Sequence, residues 1–430
     1  MNQPGPWGDG PGTSTRTRAG VLRLTNPVRR YPWGSTTHIP RFLGEPDDGE
    51  PSAELWMGAH AGDPSRLPDG ATLLEAIAGD PEPMLGPDVH ARFGPRLPFL
   101  MKVLAAAEPL SLQVHPSSEA AVAGYEREDA HGVPLEAGER SYRDRSHKPE
   151  LIFALTRFEG MAGWRDPAQT AAVLRLLDDP FAAWLAGRLE DDPTQLEDIA
   201  TGLLRHPRAE LPDLLARLAA AAVAATERLH RDDALTRPRA HIADPLRREA
   251  NRVLAMLPQL AQRYPADPGV LVLLLLNHVV LAPGESMYVG AGVVHAYTSG
   301  LGVEIMASSD NVLRAGLTTK HTDVDELLKI TDFTPAPAPT TRRADVEPGA
   351  IRLSPPAEEF TLVVADSPED DLPAEGPRIV LVLDGSVDLE TADGCVESAS
   401  RGDAVFVSHS AGALRVRGPG RVAVGGVPAR

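Results

Sequence analysis

At 430 residues, with 42% hydrophobic and 24% charged side chains, the chain reads as a globular protein of two or three domains. Its net charge of −18 argues against nucleic-acid or anionic-membrane partners, which need a basic face. An anionic small molecule stays possible where cations gather in a pocket, and the lone Cys395 excludes an internal disulfide framework and fits a reducing, cytoplasmic setting.

Residues 1–20 are rich in Gly, Pro, Ser and Thr, carry no apolar signal segment and read as a disordered tail. From Val21 to Leu104, short apolar runs alternate with Pro/Gly turns, with strands expected at Ala53–Gly58 and Leu97–Leu104. In Leu110–Pro116, residues two apart share a strand face, so Ser111, Gln113 and His115 point together, as in a lined pocket. A polar excursion with helical potential at Glu119–Glu128 leads to Ser146–Leu155, where Pro149 holds Lys148 extended and Glu150 opens a strand. These pieces form the first part of a β domain, 21–165.

Asp166-Pro167 is an N-cap with proline at the first helical position. Helical periodicity over Ala171–Leu189, Leu203–Leu229 and Pro245–Tyr264 marks an all-helical insertion, 166–263. The chain returns to the β domain over 264–334, with Val270–Leu281 expected as a buried strand. The longest apolar run, Val270–Ala282, is too short to cross a bilayer. Glu285–Val289 reads as a strand, followed by a Gly290-Ala291-Gly292 turn and a strand carrying His295. Pro335–Pro339 opens a linker, 335–350, and short strands at Phe360–Val364, Ile379–Leu383, Ala404–Val407 and Val422–Val424 make a second small β module, 351–430, to which no chemistry is assigned.

Gln113, His115, Glu150 and His295 make a possible ligand set of two imidazoles, a carboxylate and an amide oxygen, suited to Zn²⁺ or another borderline divalent ion. His147 and Lys148 stand beside it. Glu304 lies between apolar residues and reads as a carboxylate on a strand edge. Arg314, inside Val312–Leu317, needs a carboxylate or a bound anion. Lys102 and Lys320 could neutralise a phosphate or lie on the surface, and Tyr297 reads as packing first and substrate stacking second.

These residues fall within motifs that resemble the type I phosphomannose isomerases of the cupin superfamily. Tyr31-Pro32-Trp33-Gly34-Ser35, AELWMGAH, LPFLMKVL, LSLQVHPS, YRDRSHKPELIFAL, GAGVVHAY and VEIMASSDNVLRAGLTTK occur in family order from Asn26 to Leu328. The resemblance implies a mainly β fold of cupin-type jelly-roll barrels with the all-α insertion. It implies reversible isomerisation of mannose 6-phosphate and fructose 6-phosphate through a cis-enediolate. One zinc per chain would be held by Gln113, His115, Glu150 and His295. Arg314, Glu304, Lys148 and His147 would be catalytic, with the base left open between Glu304 and the His147–Lys148 pair. Ser111, Lys102, Lys320 and Tyr297 would meet substrate. Gly290 and Thr319 stand where the family usually has proline, which bears on loop stiffness. Ligand imidazoles titrating near their usual value would cut activity below about pH 6. The expected partner is a small phosphosugar, and the expected state is a monomer. A non-catalytic sugar-phosphate-binding cupin would not need the zinc set with His147, Lys148 and Glu304, and a cupin oxygenase would favour iron and more imidazoles.

Overall fold

The computed structural model describes residues 20–236, 245–341, 346–347, 349–367, 371–372, 376–392 and 394–429, so most of the expected N-terminal tail lies outside the described residues. The first eleven strands are β1 (Val21–Leu24), β2 (Val28–Arg29), β3 (Glu54–Met57), β4 (Phe99–Ala106), β5 (Leu112–Val114), β6 (Glu150–Ala154), β7 (Phe158–Trp164), β8 (Leu276–Leu281), β9 (Ser286–Val289), β10 (His295–Ala307) and β11 (Leu313–Gly316). β10 is the long one, and it belongs to two walls. Its first part pairs antiparallel with β7 and touches β5 at His295; from Gly300 onward it pairs with β4 and β6. The hand-over needs a bend, which Gly300 supplies at φ 121, where an added Cβ would lie 2.7 Å from the Arg157 carbonyl oxygen.

The second β unit packs a sheet of Ala404–Val407, Arg378–Asp384, Arg421–Gly426, Thr361–Asp366 and Ala350–Leu353 against a smaller one built around Ser386–Thr391. β1 is the edge strand of this sheet, pairing Val21 with Val407, so the first described strand belongs to the second unit and not to the expected 21–165 β domain. An apolar pattern marks a strand's buried face but not which of two sheets it joins.

Helices are at least as extensive as strands, so "mainly β" describes the sheets and understates the chain. Asp166 caps Pro167–Arg175 as expected, its carboxylate accepting from the Gln169 N–H. The Ala171–Leu189 pattern is broken: Asp178 takes φ 51, and Asp179 caps a new helix, Pro180–Asp191. Leu196–Leu204, Leu211–Thr236 and Pro245–Arg263 follow. The expected strand Val270–Leu281 is half wrong. Gly269–Val272 is helical and Leu273–Leu275 a 3-10 turn, both in the helical core, and only β8 joins the sheet. A fully buried run shows no period that separates helix from strand. The Pro335–Pro339 stretch is not a free connector: Ala336 N donates to the Trp164 carbonyl, Tyr288 N donates to that of Pro339, and Thr340–Thr341 pair with β9. Among the described residues no helix is long and apolar enough to cross a membrane.

A buried polar joint fixes Pro245–Arg263 to the β domain. Arg165 donates to Glu249 Oε1 at 2.9 Å, the same oxygen accepts from His278 N at 2.8 Å, and Arg252 Nε donates to His278 Nδ1 at 3.1 Å. Burial, reinforced by Arg252, pushes the His278 imidazole down to about 3. Between its ordinary value near 6.5 and about 3, the unfolded chain binds a proton that the folded chain refuses, so stability falls as pH falls. Urea midpoints should drop on going from about pH 7 to about pH 4, and His278→Gln should flatten that slope by about one proton. An unchanged slope would place the acid sensitivity elsewhere.

Candidate active site

The site begins with strand register. Gln113 on β5 is the cross-strand partner of both His295 on β10 and Arg314 on β11, so the three side chains leave the sheet on one face. Gly292, at φ 77, makes the turn before His295 and donates its N–H to the His115 carbonyl, closing the loop onto the end of β5. Gly290 takes no left-handed φ, and Thr319 lines the cavity.

His115, Glu150 and His295 converge, with one ligand atom of each within 4.8 Å of the others. His115 Nδ1 lies 2.8 Å from the Asn311 carbonyl oxygen and His295 Nδ1 lies 3.0 Å from that of Val293. A carbonyl only accepts, so each Nδ1 carries the proton and each Nε2 presents a lone pair. Those Nε2 atoms face Glu150, at 3.2 Å from His115 and 3.4 Å from His295. Two imidazole lone pairs therefore meet a carboxylate that also only accepts. His115 Nε2 is fully buried without a hydrogen-bond partner among the described residues. A cation resolves this arrangement, and the Gln113 amide on the same face offers a further oxygen. The residues fit a divalent metal of the zinc type.

Electrostatics agree. Burial, with Lys148 nearby, pushes the His115 imidazole down to about 4, so its protonation sets in at lower pH than the expected onset near 6. Burial works to raise the Glu150 carboxyl, yet Lys148, 2.7 Å away, and the two imidazoles hold it well below the usual carboxylate range.

A cavity of about 550 Å³ meets this centre through Gln113 and Lys148, with Trp56, Ser111, Arg314 and Lys320 also in its lining; His115, Glu150 and His295 lie just behind that lining. Three expected residues are elsewhere. Glu304 is not on a strand edge: β10 runs between β4 and β6, and the carboxylate is 2% exposed, 2.7 Å from Lys102 and outside the cavity lining. Burial raises its carboxyl. His147 points to Glu359 of the second β unit at 2.8 Å, outside the lining, and that contact raises its imidazole. Tyr297 is buried behind His295 with its ring edge-on to Phe158, outside the lining. Lys102 does reach the cavity, but Glu304 and Glu54 (3.5 Å) share its charge and, against the cost of burial, hold its ammonium well above its usual value.

Sequence reasoning missed Glu54, which accepts from Trp56 Nε1 at 2.8 Å; a carboxylate set among Ala53, Leu55, Trp56 and Met57 in an expected strand was the available signal. It also missed Asn311, whose amide ties the Arg143 and Asp144 N–H groups and the Asp144 and Ser146 carbonyls into one hub. Arg263 and Tyr264 bring the end of the helical insertion to the cavity wall, and Arg263 is paired with Glu108.

Residues 21–167 match the family profile described as phosphomannose isomerase type I, catalytic domain. The chain is similar to the mannose-6-phosphate isomerase of Escherichia coli, 34% identical over 411 residues covering 94% of this chain and 98% of that protein. It is also similar to that of Homo sapiens, 31% identical with 86% and 89% covered. A crystal structure of the Salmonella typhimurium mannose 6-phosphate isomerase bound to fructose 6-phosphate and zinc superposes with TM-score 0.81 at 33% identity, covering 96% of this chain and all of that one.

The Asn311 backbone carbonyl aims His115 by accepting from its Nδ1–H, and the Asn311 side-chain amide, the part that Asn311→Ala removes, ties that carbonyl's position to the loop leading to Lys148. Asn311→Ala should weaken divalent-metal affinity roughly 10- to 100-fold, read by competition with a chromophoric chelator on protein whose circular dichroism is unchanged. Unaltered affinity in a folded variant would show that the hub does not orient the ligand.

Proposed function

The chain belongs to the type I phosphomannose isomerases, and from that premise we propose how its own residues carry out the reversible isomerisation of mannose 6-phosphate and fructose 6-phosphate with one zinc ion. The observation that supports the reading most directly is the acceptor-only cluster of His115, Glu150 and His295, which calls for a cation. Gln113, His115, Glu150 and His295 would hold the zinc, which when bound supplies Lewis-acid polarisation of substrate oxygens.

The reaction moves a proton between C1 and C2 after ring opening. We assign that proton to the Glu304–Lys102–Glu54 unit: Glu54 and Lys102 reach the cavity, and Glu304 stands directly behind them at 2.7 Å from Lys102, its carboxyl raised by burial. Lys148 holds Glu150 ionised. Arg314 offsets negative charge that develops on the substrate oxygens, and Ser111 with Lys320 anchors the phosphate so that C1 and C2 stay in register with the unit. Lys102 is not read as a phosphate anchor, because two carboxylates already share its charge. His147 is read as a tie to the second β unit, and Tyr297 as support for His295. The antiparallel barrel is read as a cupin-type jelly roll, residues 166–263 as the inserted helical domain, and the working state as a cytoplasmic monomer.

A coupled assay with mannose 6-phosphate should show turnover that chelation abolishes and zinc restores, with zinc near one per chain by elemental analysis. Turnover surviving verified metal removal would sink the mechanism. Glu304→Gln should lower kcat by about 10²- to 10⁴-fold with zinc content retained. If Glu304→Gln and Lys102→Met both kept near-normal kcat, proton transfer would pass to Lys148.

A further inference from the structure

Beyond the inner cavity lies an outer chamber of about 1290 Å³, with Arg143, Arg314 and Lys320 together on its wall. Arg314 is partly buried, and among the described residues its guanidinium makes no hydrogen bond or ion pair; the same holds for the Lys320 ammonium. Arg143 is little better satisfied. Its guanidinium reaches the Ala137 carbonyl at 3.5 Å and Glu136 at 3.9 Å, and that carboxylate is 88% exposed, so the pair offsets little charge.

The other acids around the chamber are engaged or at its rim. Asp144 accepts from Ser309 Oγ and from the N–H groups of Ser146 and Asp310, Asp310 lies 3.5 Å from His60, and Glu139 is exposed. Burial and then Arg143 lower the Arg314 guanidinium, while burial, Arg314 and Arg143 lower the Lys320 ammonium. These are like charges in mutual repulsion. Meanwhile the Arg143 backbone is fixed at the chamber, its main-chain N–H donating to Asn311 Oδ1 at 2.7 Å.

We infer that Arg143 joins Lys320 in a cationic clamp for the substrate's phosphate where the two chambers meet, with Arg314 on their shared wall left to the reacting oxygens. A dianionic phosphate with several acceptor oxygens suits guanidinium groups that donate in a fixed fork. The inference rests on the reading of the chain as a phosphosugar isomerase. The phosphate does not react, so the clamp binds ground state and transition state alike, and its loss appears in KM more than in kcat.

The test compares Arg143→Ala and Arg143→Lys with the zinc-loaded wild type. Arg143→Ala should raise KM for mannose 6-phosphate by about tenfold or more with kcat within about threefold, as for loss of one charge-assisted contact. The inhibition constant of inorganic phosphate should rise in parallel, and Arg143→Lys should recover most of both. KM and phosphate inhibition within about twofold of wild type would overturn the clamp, as would a fall in kcat alone. Titration calorimetry with inorganic phosphate separates the two readings. If wild type binds phosphate and Arg143→Ala does not, yet wild type fails to turn over mannose 6-phosphate, the anion clamp stands and the isomerase reading falls.

Discussion

The rest of the site depends on one electrostatic constraint: three groups that can only accept are held together in a dry place. His115 Nε2, His295 Nε2 and the Glu150 carboxylate would repel one another without a cation between them. Backbone carbonyls enforce the arrangement by taking the Nδ1 protons, so neither imidazole can relieve the strain by changing tautomer. Lys148 supplies partial compensation at 2.7 Å from Glu150. The fold therefore spends stability to keep a metal position ready.

Charge is sorted across the cavity in the same spirit. On one wall Lys102 is shared between Glu54 and Glu304, giving a compact buried unit of one ammonium and two carboxylates. On the other, Arg314 and Lys320 carry no paired carboxylate among the described residues. A chain with net charge −18 thus offers a positive pocket to an anion.

Strand alternation connects this chemistry to packing. Lys102 and Glu304 point inward from β4 and β10, while Met101, Val103 and Ile305 point outward into a core shared with Leu362, Ile379 and Phe406 of the second β unit. The two units approach so closely that a Cβ on Gly425 would lie 2.9 Å from Ile305 Cδ1. The second unit has no catalytic residue assigned to it, yet it covers the backs of the strands that carry Lys102 and Glu304. The helical insertion likewise docks through Glu249 and Arg252 and places Arg263 and Tyr264 at the cavity wall.

Much was legible in the sequence because it was local. Period-two alternation placed Gln113 and His115, Pro149 marked the start of β6, and the Asp166-Pro167 cap opened the insertion. Co-ordered motifs then named the family and its ligand set. What stayed hidden depended on contacts distant in sequence. Membership of β1 in the second sheet, the split of Val270–Leu281 between helix and strand, and the central place of Glu304 follow from which neighbour each segment meets. Side-chain partners decided roles in the same way: Lys102 met two carboxylates, His147 met Glu359, and Arg143 was left facing a chamber with Arg314 and Lys320. The sequence by itself determined which chemical groups the chain carries and the local geometry that presents them. Only the tertiary structure decided which charges are neutralised and which remain free, because that depends on distances of a few ångströms between residues up to some two hundred positions apart.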